Sequence, residues 1–262
     1  MSSSSLKNIV HLLEAQNNEL SVEACFLHDL QRSIEMTNNN NDRKPSRTYK
    51  PSGMNCIRAS YYEISGKESK SYMDYAGVGI CNSGTDTHVR IQTAISQMKD
   101  NNIDCEYVDV EKFVKSRKLD YLDIKSHSGM ETKLYHKKLN MSFMCDGIIK
   151  YKGKYYILEL KTESSNKFFN REGVDPSHFQ QAIAYSLSLG LDDVMFIYIS
   201  RDNSTMKSYM FHVTDDMKQS LISYIEECDS YLKKKKTPPK PENVSRKTCE
   251  WCNYKSLCRS EV

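Results

Sequence analysis

The chain has 262 residues and a formal net charge of +3, long enough for one large domain or two small ones with a buried core. Hydrophobic residues make up 39% and charged residues 27%, which excludes the disordered, collagenous and disulfide-scaffold classes. No apolar run is long enough to span a bilayer, the N-terminus Met1–Lys7 lacks an apolar signal segment, and no phosphate-cradling Gly-x4-Gly-Lys-Ser/Thr loop occurs. The expectation is a protein of the reducing cytoplasm, with no membrane partner and no motor of its own.

Residues 6–36 carry helical periodicity, expected as two helices broken near Asn17-Asn18, and Asn38–Asp42 as a loop. A short helix is expected over 56–64. Another follows over 84–100, with Val89, Ile91, Ile95 and Met98 as apolar positions; 103–128 is mixed. Met141–Tyr151 and Lys154–Lys161 are rich in Ile, Tyr, Phe and Leu around Lys152-Gly153, which predicts a β-hairpin with a two-residue turn, and 131–137 adds a strand before it. A helix over 176–189, strands over Val194–Ser200 and Lys207–His212, and a long helix over 215–234 complete the order. Thr237–Pro241, with three prolines, then carries the chain to a cysteine-rich end. Helices, a β block, a helix, two strands and a helix make an α/β (α+β) fold with a mixed sheet.

Charge is unevenly placed. Residues 232–262 hold nine Lys/Arg against three Glu, leaving 28 basic and 31 acidic side chains elsewhere. A basic C-terminal arm on a mildly acidic body suits an anionic partner met on one side; a solvated helix end is the plain alternative.

The hairpin register places chemistry. With Lys152-Gly153 as the turn, Tyr151 pairs with Lys154 and Asp146 falls opposite Glu159, with Lys161 on the same face. Directly opposed residues hold their Cβ atoms roughly 4.5–5.5 Å apart. Two carboxylates that close repel, and a bound hard cation such as Mg²⁺ or Mn²⁺ reverses the sign. Lys161 can then hold a water beside that cation, as hydrolysis requires. A Glu159–Lys161 surface ion pair with Asp146 in solvent is the alternative, although the apolar neighbours Ile157, Leu158 and Leu160 argue against exposure. Gly84 lies one turn before His88, so their helix can approach the sheet closely with His88 toward it. His178, Gln181 and Tyr185 form a polar stripe on an otherwise apolar helix, whose inward groups need partners such as the site lysine or a phosphate.

Taken in order, Gly84-x3-His88, Asp146, Glu159-x-Lys161 and Gln181-x3-Tyr185 resemble the RecB-like branch of the PD-(D/E)XK nucleases. The resemblance implies a restriction-endonuclease-like core with a central mixed sheet flanked by helices. It implies His88, Asp146, Glu159 and the Leu160 carbonyl as ligands of Mg²⁺ or Mn²⁺, and Asp146, Glu159 and Lys161 as catalytic residues. Gln181 and Tyr185 would contact substrate or brace the site. Cys145 stands where the family name has Pro.

Nine cysteines are many for a cytosolic chain of this size. Cys25, Cys81, Cys105, Cys145 and Cys228 are scattered and read as small buried thiols. Cys249-x2-Cys252-x5-Cys258 is one thiolate short of a closed zinc or [4Fe–4S] site; Cys56, Cys25 and Cys81 are all candidates for the fourth. A Cys56-x-Arg58-x2-Tyr61 segment before the nuclease motifs and the three cysteines after them resemble the iron–sulfur exonuclease subgroup found in CRISPR-adaptation and AddAB-type nucleases. That resemblance implies a [4Fe–4S] cluster on Cys56, Cys249, Cys252 and Cys258, joining the N-terminal and C-terminal segments, with zinc as the alternative. Arg58 is expected to contact a substrate phosphate, or to sit in an internal ion pair.

The expected organisation is an N-terminal helical segment, 1–50, followed by one integrated nuclease domain, 51–262, ending in the cysteine segment 245–262. The expected activity is metal-dependent exonuclease hydrolysis of single-stranded DNA or DNA ends in recombination, repair or CRISPR-type processing, in a cellular or phage-infected cytoplasm. A helicase or recombination protein, or a second copy of the chain, would be its partner. A non-catalytic DNA-end-binding subunit and an RNA nuclease are the alternatives; the 2′-hydroxyl that separates RNA from DNA has no assigned reader here.

Overall fold

The computed structural model describes residues 21–39, 44–69, 72–128, 130–242 and 244–261. Two compact units divide them: one holds a helix α1 (Val22–Asn39) with residues 72–81, the other the remaining described residues. In the first unit, Asn39 bonds both the N–H and the carbonyl of Met73, and Glu35 accepts the N–H of Tyr75. Residues 22–39 form one helix; the expected break near Asn17-Asn18 and the end of the expected loop, residues 40–42, lie outside the described residues.

The second unit is built on a five-stranded sheet in the order β1-β5-β6-β7-β8: β1 (Cys105–Val108), β5 (Gly147–Tyr151), β6 (Lys154–Glu163), β7 (Asp193–Ser200) and β8 (Met206–His212). Only β6 and β7 run parallel, so the sheet is mixed. Parallel neighbours need a crossover, supplied by α5 (Ser165–Phe169) and α6 (Phe179–Leu189). A smaller antiparallel sheet follows the order β2-β3-β4: β2 (Leu122–Ser128), β3 (Glu131–His136) and β4 (Met141–Cys145). The remaining helices are α2 (Ile57–Ser65), α3 (Tyr75–Ser96), α4 (Val110–Ser116), α7 (Asp215–Lys233), α8 (Arg246–Glu250) and α9 (Lys255–Ser260).

Strand β6 explains the layering. Its residues Ile157 to Leu160 are all buried, as expected of a central strand covered on both faces. Leu158 and Leu160 join Ile91 and Ile95 of α3 in one core. Ile157 belongs to the larger core with Phe196, Leu189 of α6 and Leu221 of α7. Tyr49 is part of that larger core, and its hydroxyl donates to Asp229 at 2.7 Å.

The β5–β6 register is the expected one: Gly147 pairs with Leu158 and Tyr151 with Lys154. Lys152 and Gly153 both take positive φ, +50° and +80°, the type I′ geometry that suits strand twist. The expected single strand Met141–Tyr151 is two strands in two sheets, parted at Asp146. The cause is local. Asp146 turns its carboxylate onto the Leu160 N–H at 2.6 Å, while its carbonyl accepts from Gln92 at 2.7 Å and Tyr107 at 2.5 Å. A Cβ on Gly147 would meet the Tyr107 hydroxyl at 2.5 Å, so only glycine fits there.

Two further expectations are corrected. The helix expected from residue 84 begins at Tyr75, because its glycines cost helix stability without forbidding the conformation; Val89 on it is exposed. Cys25 and Cys81 are exposed, whereas Cys105, Cys145 and Cys228 are buried, since α1 buries none of its residues.

Candidate active site

Four elements converge at the point where the chain passes from β4 to β5. Helix α3 comes close enough for this because Gly84 faces β6: a Cβ there would lie 3.3 Å from Thr162 Oγ1. One turn on, His88 Nδ1 lies 3.5 Å from Asp146 Oδ1 and 3.5 Å from Glu131 Oε1. Ligand atoms of His88, Glu131 and Asp146 all fall within 4.8 Å of one another, the one such group among the described residues. Burial works against protonating His88, but the carboxylates of Asp146 and Glu131 overcome it and raise the imidazole to about 10.

Glu159 is 2% exposed and Asp146 7%, which removes the solvent-facing alternative for this pair. One Glu159 oxygen accepts from Lys161 Nζ, while Oε2 is buried with no hydrogen-bond partner among the described residues. Burial, and then the charge of Asp146, push the Glu159 carboxyl up; Lys161 and His88 oppose them. A buried carboxylate oxygen without a donor is costly. A cation placed against Asp146 and Glu159 would remove that cost.

Lys161 is held from the other side by α6. Its Nζ donates to Gln181 Oε1 at 3.0 Å, Gln181 Nε2 donates to the Tyr185 hydroxyl at 2.7 Å, and that hydroxyl donates to the Met144 carbonyl. The expected inward stripe on α6 is therefore real for Gln181 and Tyr185. His178 departs from it: it sits in a 3₁₀ turn before α6, bonded to the Tyr198 hydroxyl at 2.9 Å, and burial lowers its imidazole to about 3.

Glu131 is the site residue that sequence reasoning missed. Thr132 pairs with Cys145 across β3–β4, so one step further Glu131 faces Asp146. The signal was the 137–140 turn, which fixes that register once β3 and β4 are read as their own hairpin.

Arg58 is engaged elsewhere. Its buried guanidinium donates to Tyr62, to the Pro238 carbonyl and to Glu261 at 2.8, 3.0 and 3.1 Å. That is the internal ion pair rather than a phosphate contact, and it fastens α2 to the C-terminal end. Tyr254 reinforces the join, its ring 5.5 Å from that of Tyr62 and its hydroxyl 2.6 Å from Glu63. The same packing gathers the four cysteines. Burial raises the Cys56 thiol, backbone N–H groups of Ala59 and Arg58 oppose, and the nearby thiols of Cys249 and Cys258 add to the rise. Cys252 behaves alike, raised by burial and then by Cys56, Cys258 and Cys249 once the Tyr254 N–H is set against them.

No helix among the described residues is long and apolar enough to cross a membrane. No family model and no curated protein sequence matches the chain. Among solved structures, the chain is similar to SSO0001 at 14% identity and a TM-score of 0.49, covering 90% of this chain and 98% of that one. It is similar to LHK-Exo in complex with dAMP at 8% identity and a TM-score of 0.43, covering 72% and 89%. To the alkaline exonuclease LHK-Exo from Laribacter hongkongensis the identity is 10% and the TM-score 0.36, covering 73% and 94%. Likeness at this level leaves the chemistry to be read from the site's own residues.

Proposed function

We propose that the chain is a metal-dependent DNA exonuclease of the RecB-like PD-(D/E)XK type. The observation that carries this reading is the buried, unpartnered Glu159 Oε2 beside Asp146, with His88 and Glu131 closing the other side and Lys161 reaching in. The donor set, three carboxylates and one imidazole, suits Mg²⁺ or Mn²⁺, the imidazole favouring Mn²⁺. When bound, such an ion supplies an acidified water and polarises a phosphoryl oxygen.

The residues divide the work. Asp146, Glu159, His88 and the Leu160 backbone would hold the ion, and Glu131 adds a carboxylate the family motif does not contain. Lys161 orients the attacking water by donating a hydrogen bond from a fixed position. Gln181 and Tyr185 hold that position, so the lysine is aimed before substrate arrives. The charge of Lys161 also offsets the carboxylates on a phosphate's approach.

The four thiols Cys56, Cys249, Cys252 and Cys258 would hold a [4Fe–4S] cluster, with zinc as the alternative. Mutual repulsion among thiols that raise one another's ionisation is what a cationic cluster removes. Its role is to staple the C-terminal segment to α2. Strand separation would come from a partner or from ends already open.

The test is cleavage of end-labelled single- and double-stranded DNA with Mg²⁺ or Mn²⁺, alongside an optical spectrum of anaerobically purified protein. Metal-dependent loss of label and a brown chromophore support the reading. Cleavage that persists in excess EDTA overturns it.

A further inference from the structure

The C-terminal end leaves one large aromatic side chain in water. Trp251 is 82% exposed and is the only tryptophan in the chain. An isolated exposed apolar side chain needs no explanation, but this one stands in strongly basic surroundings. Lys233–Lys236 and Lys240 are exposed, as is Arg259. Lys236 and Lys240 line a cavity of about 480 Å³ with Thr237, Pro238 and Pro239. Arg58 on the cavity wall is neutralised by Glu261, so the lysines carry its charge outward.

Both parts of this face are fastened to one helix. Arg58 of α2 holds the Pro238 carbonyl and Glu261, while Tyr62 and Glu63 of α2 hold Tyr254, three residues after Trp251. The lysine segment and the tryptophan are thus presented by a common, rigid support. A cationic groove with an aromatic plane is what single-stranded nucleic acid requires: phosphates meet lysines, and an unstacked base lies on the ring. A duplex, whose bases stack on one another, offers no base face to Trp251.

We propose that this C-terminal face is a single-strand platform, with Trp251 stacking on a base and Lys236 and Lys240 taking flanking phosphates. The proposal rests on the nuclease reading and names the surface that receives the strand. Trp251 is a binding residue here, with no part in hydrolysis.

The single tryptophan makes the test direct. Oligothymidylate is titrated into the full chain in excess EDTA, which prevents cleavage, while tryptophan emission and the anisotropy of a labelled oligothymidylate are followed together. Emission should quench along the same curve as anisotropy, and a blunt duplex should not quench it. Trp251→Ala should weaken binding about tenfold with an unchanged melting temperature, since the side chain is exposed. Lys236→Ala with Lys240→Ala should flatten the salt slope by about one to two. With metal present, Trp251→Ala should raise KM and leave kcat alone.

If oligothymidylate binds and is cleaved while emission stays constant and Trp251→Ala binds like the parent, the platform is wrong and the nuclease reading stands. If neither binding nor cleavage occurs, both fall. An emission change that follows protein concentration without DNA makes this face a contact between copies and overturns the platform.

Discussion

Lys161 and Gln181 are joined at 3.0 Å, Nζ donating to Oε1 across the gap between β6 and α6. Because Gln181 is itself held by Tyr185, and Tyr185 by the Met144 carbonyl, the lysine's position is set by residues that touch no substrate. Gln181→Ala should therefore lower kcat about 10–100-fold with KM nearly unchanged. Tyr185→Phe should do the same less severely and cost about 1 kcal/mol of stability, since the Met144 carbonyl loses its donor. Steady-state kinetics with thermal melts separate the two effects; a rise in KM alone would return Gln181 to substrate contact.

Glu159 carries the opposite expectation for stability and activity. In EDTA, Glu159→Gln should melt no lower than the parent, because it removes a buried charge beside Asp146 and supplies a donor. Mn²⁺ should raise the parent's melting temperature but not that of Glu159→Gln, as binding to the folded state alone requires. Equal stabilisation of both would remove Glu159 from the ligand set.

Gly147→Ala tests the turn that builds the site. Its Cβ would lie 2.5 Å from the Tyr107 hydroxyl and 2.7 Å from the ring carbon bearing it, so the cost should be about 1–3 kcal/mol. Activity should fall as well, because Tyr107 and Gly147 flank the carbonyl of Asp146. A chemical-denaturation curve unchanged by the substitution would contradict the packing described.

Much of this site was legible in the sequence because two-residue hairpins fix register. Lys152-Gly153 put Asp146 opposite Glu159, and the alternation of β6 put Lys161 beside them. Gly84 likewise announced the close approach that lets His88 reach. The division of Met141–Tyr151 was hidden, since both halves are apolar and the change of sheet depends on Gln92 and Tyr107, distant in sequence. Glu131 stayed hidden for the same reason. Arg58 shows the limit of motif reading: an arginine ahead of a nuclease core looks like a phosphate contact until Glu261, some 200 residues on, is seen to pair with it.

Acid sensitivity should report the C-terminal join. Burial favours the neutral form of Glu63, but hydrogen bonds from Lys50, Tyr254 and Ser46 outweigh it and lower the carboxyl to about 2. A carboxyl lower in the folded than in the unfolded state contributes stability that is whole above its ordinary value near 4.5 and is lost as pH falls toward 2. Glu63→Gln should remove roughly 2 kcal/mol at neutral pH, allowing for partial exposure, and flatten the acid limb over that window. Melting temperatures from neutral pH down to the acid limit check it; parallel curves for the two proteins would contradict it.

The cluster prediction ties the same join to the whole chain. Cys56 and Cys249 lie about 190 positions apart, and closing a loop of that length is worth on the order of 4–5 kcal/mol in the chain-entropy model. Cys56→Ala and Cys258→Ala should lower the melting temperature alike and bleach the chromophore, while Cys105→Ala should leave the chromophore intact. One zinc per chain and no iron would keep the staple and replace its chemistry.

The most direct measurement is loss of label from end-labelled single-stranded DNA with Mn²⁺, comparing the parent with Asp146→Ala, Glu159→Ala and Lys161→Ala, each checked for folding and for DNA binding. The parent should release label only when metal is present. The three variants should bind DNA and release none. Full activity in Asp146→Ala or Glu159→Ala, or undiminished release in excess EDTA, would contradict the assignment of this buried cluster as the hydrolytic centre.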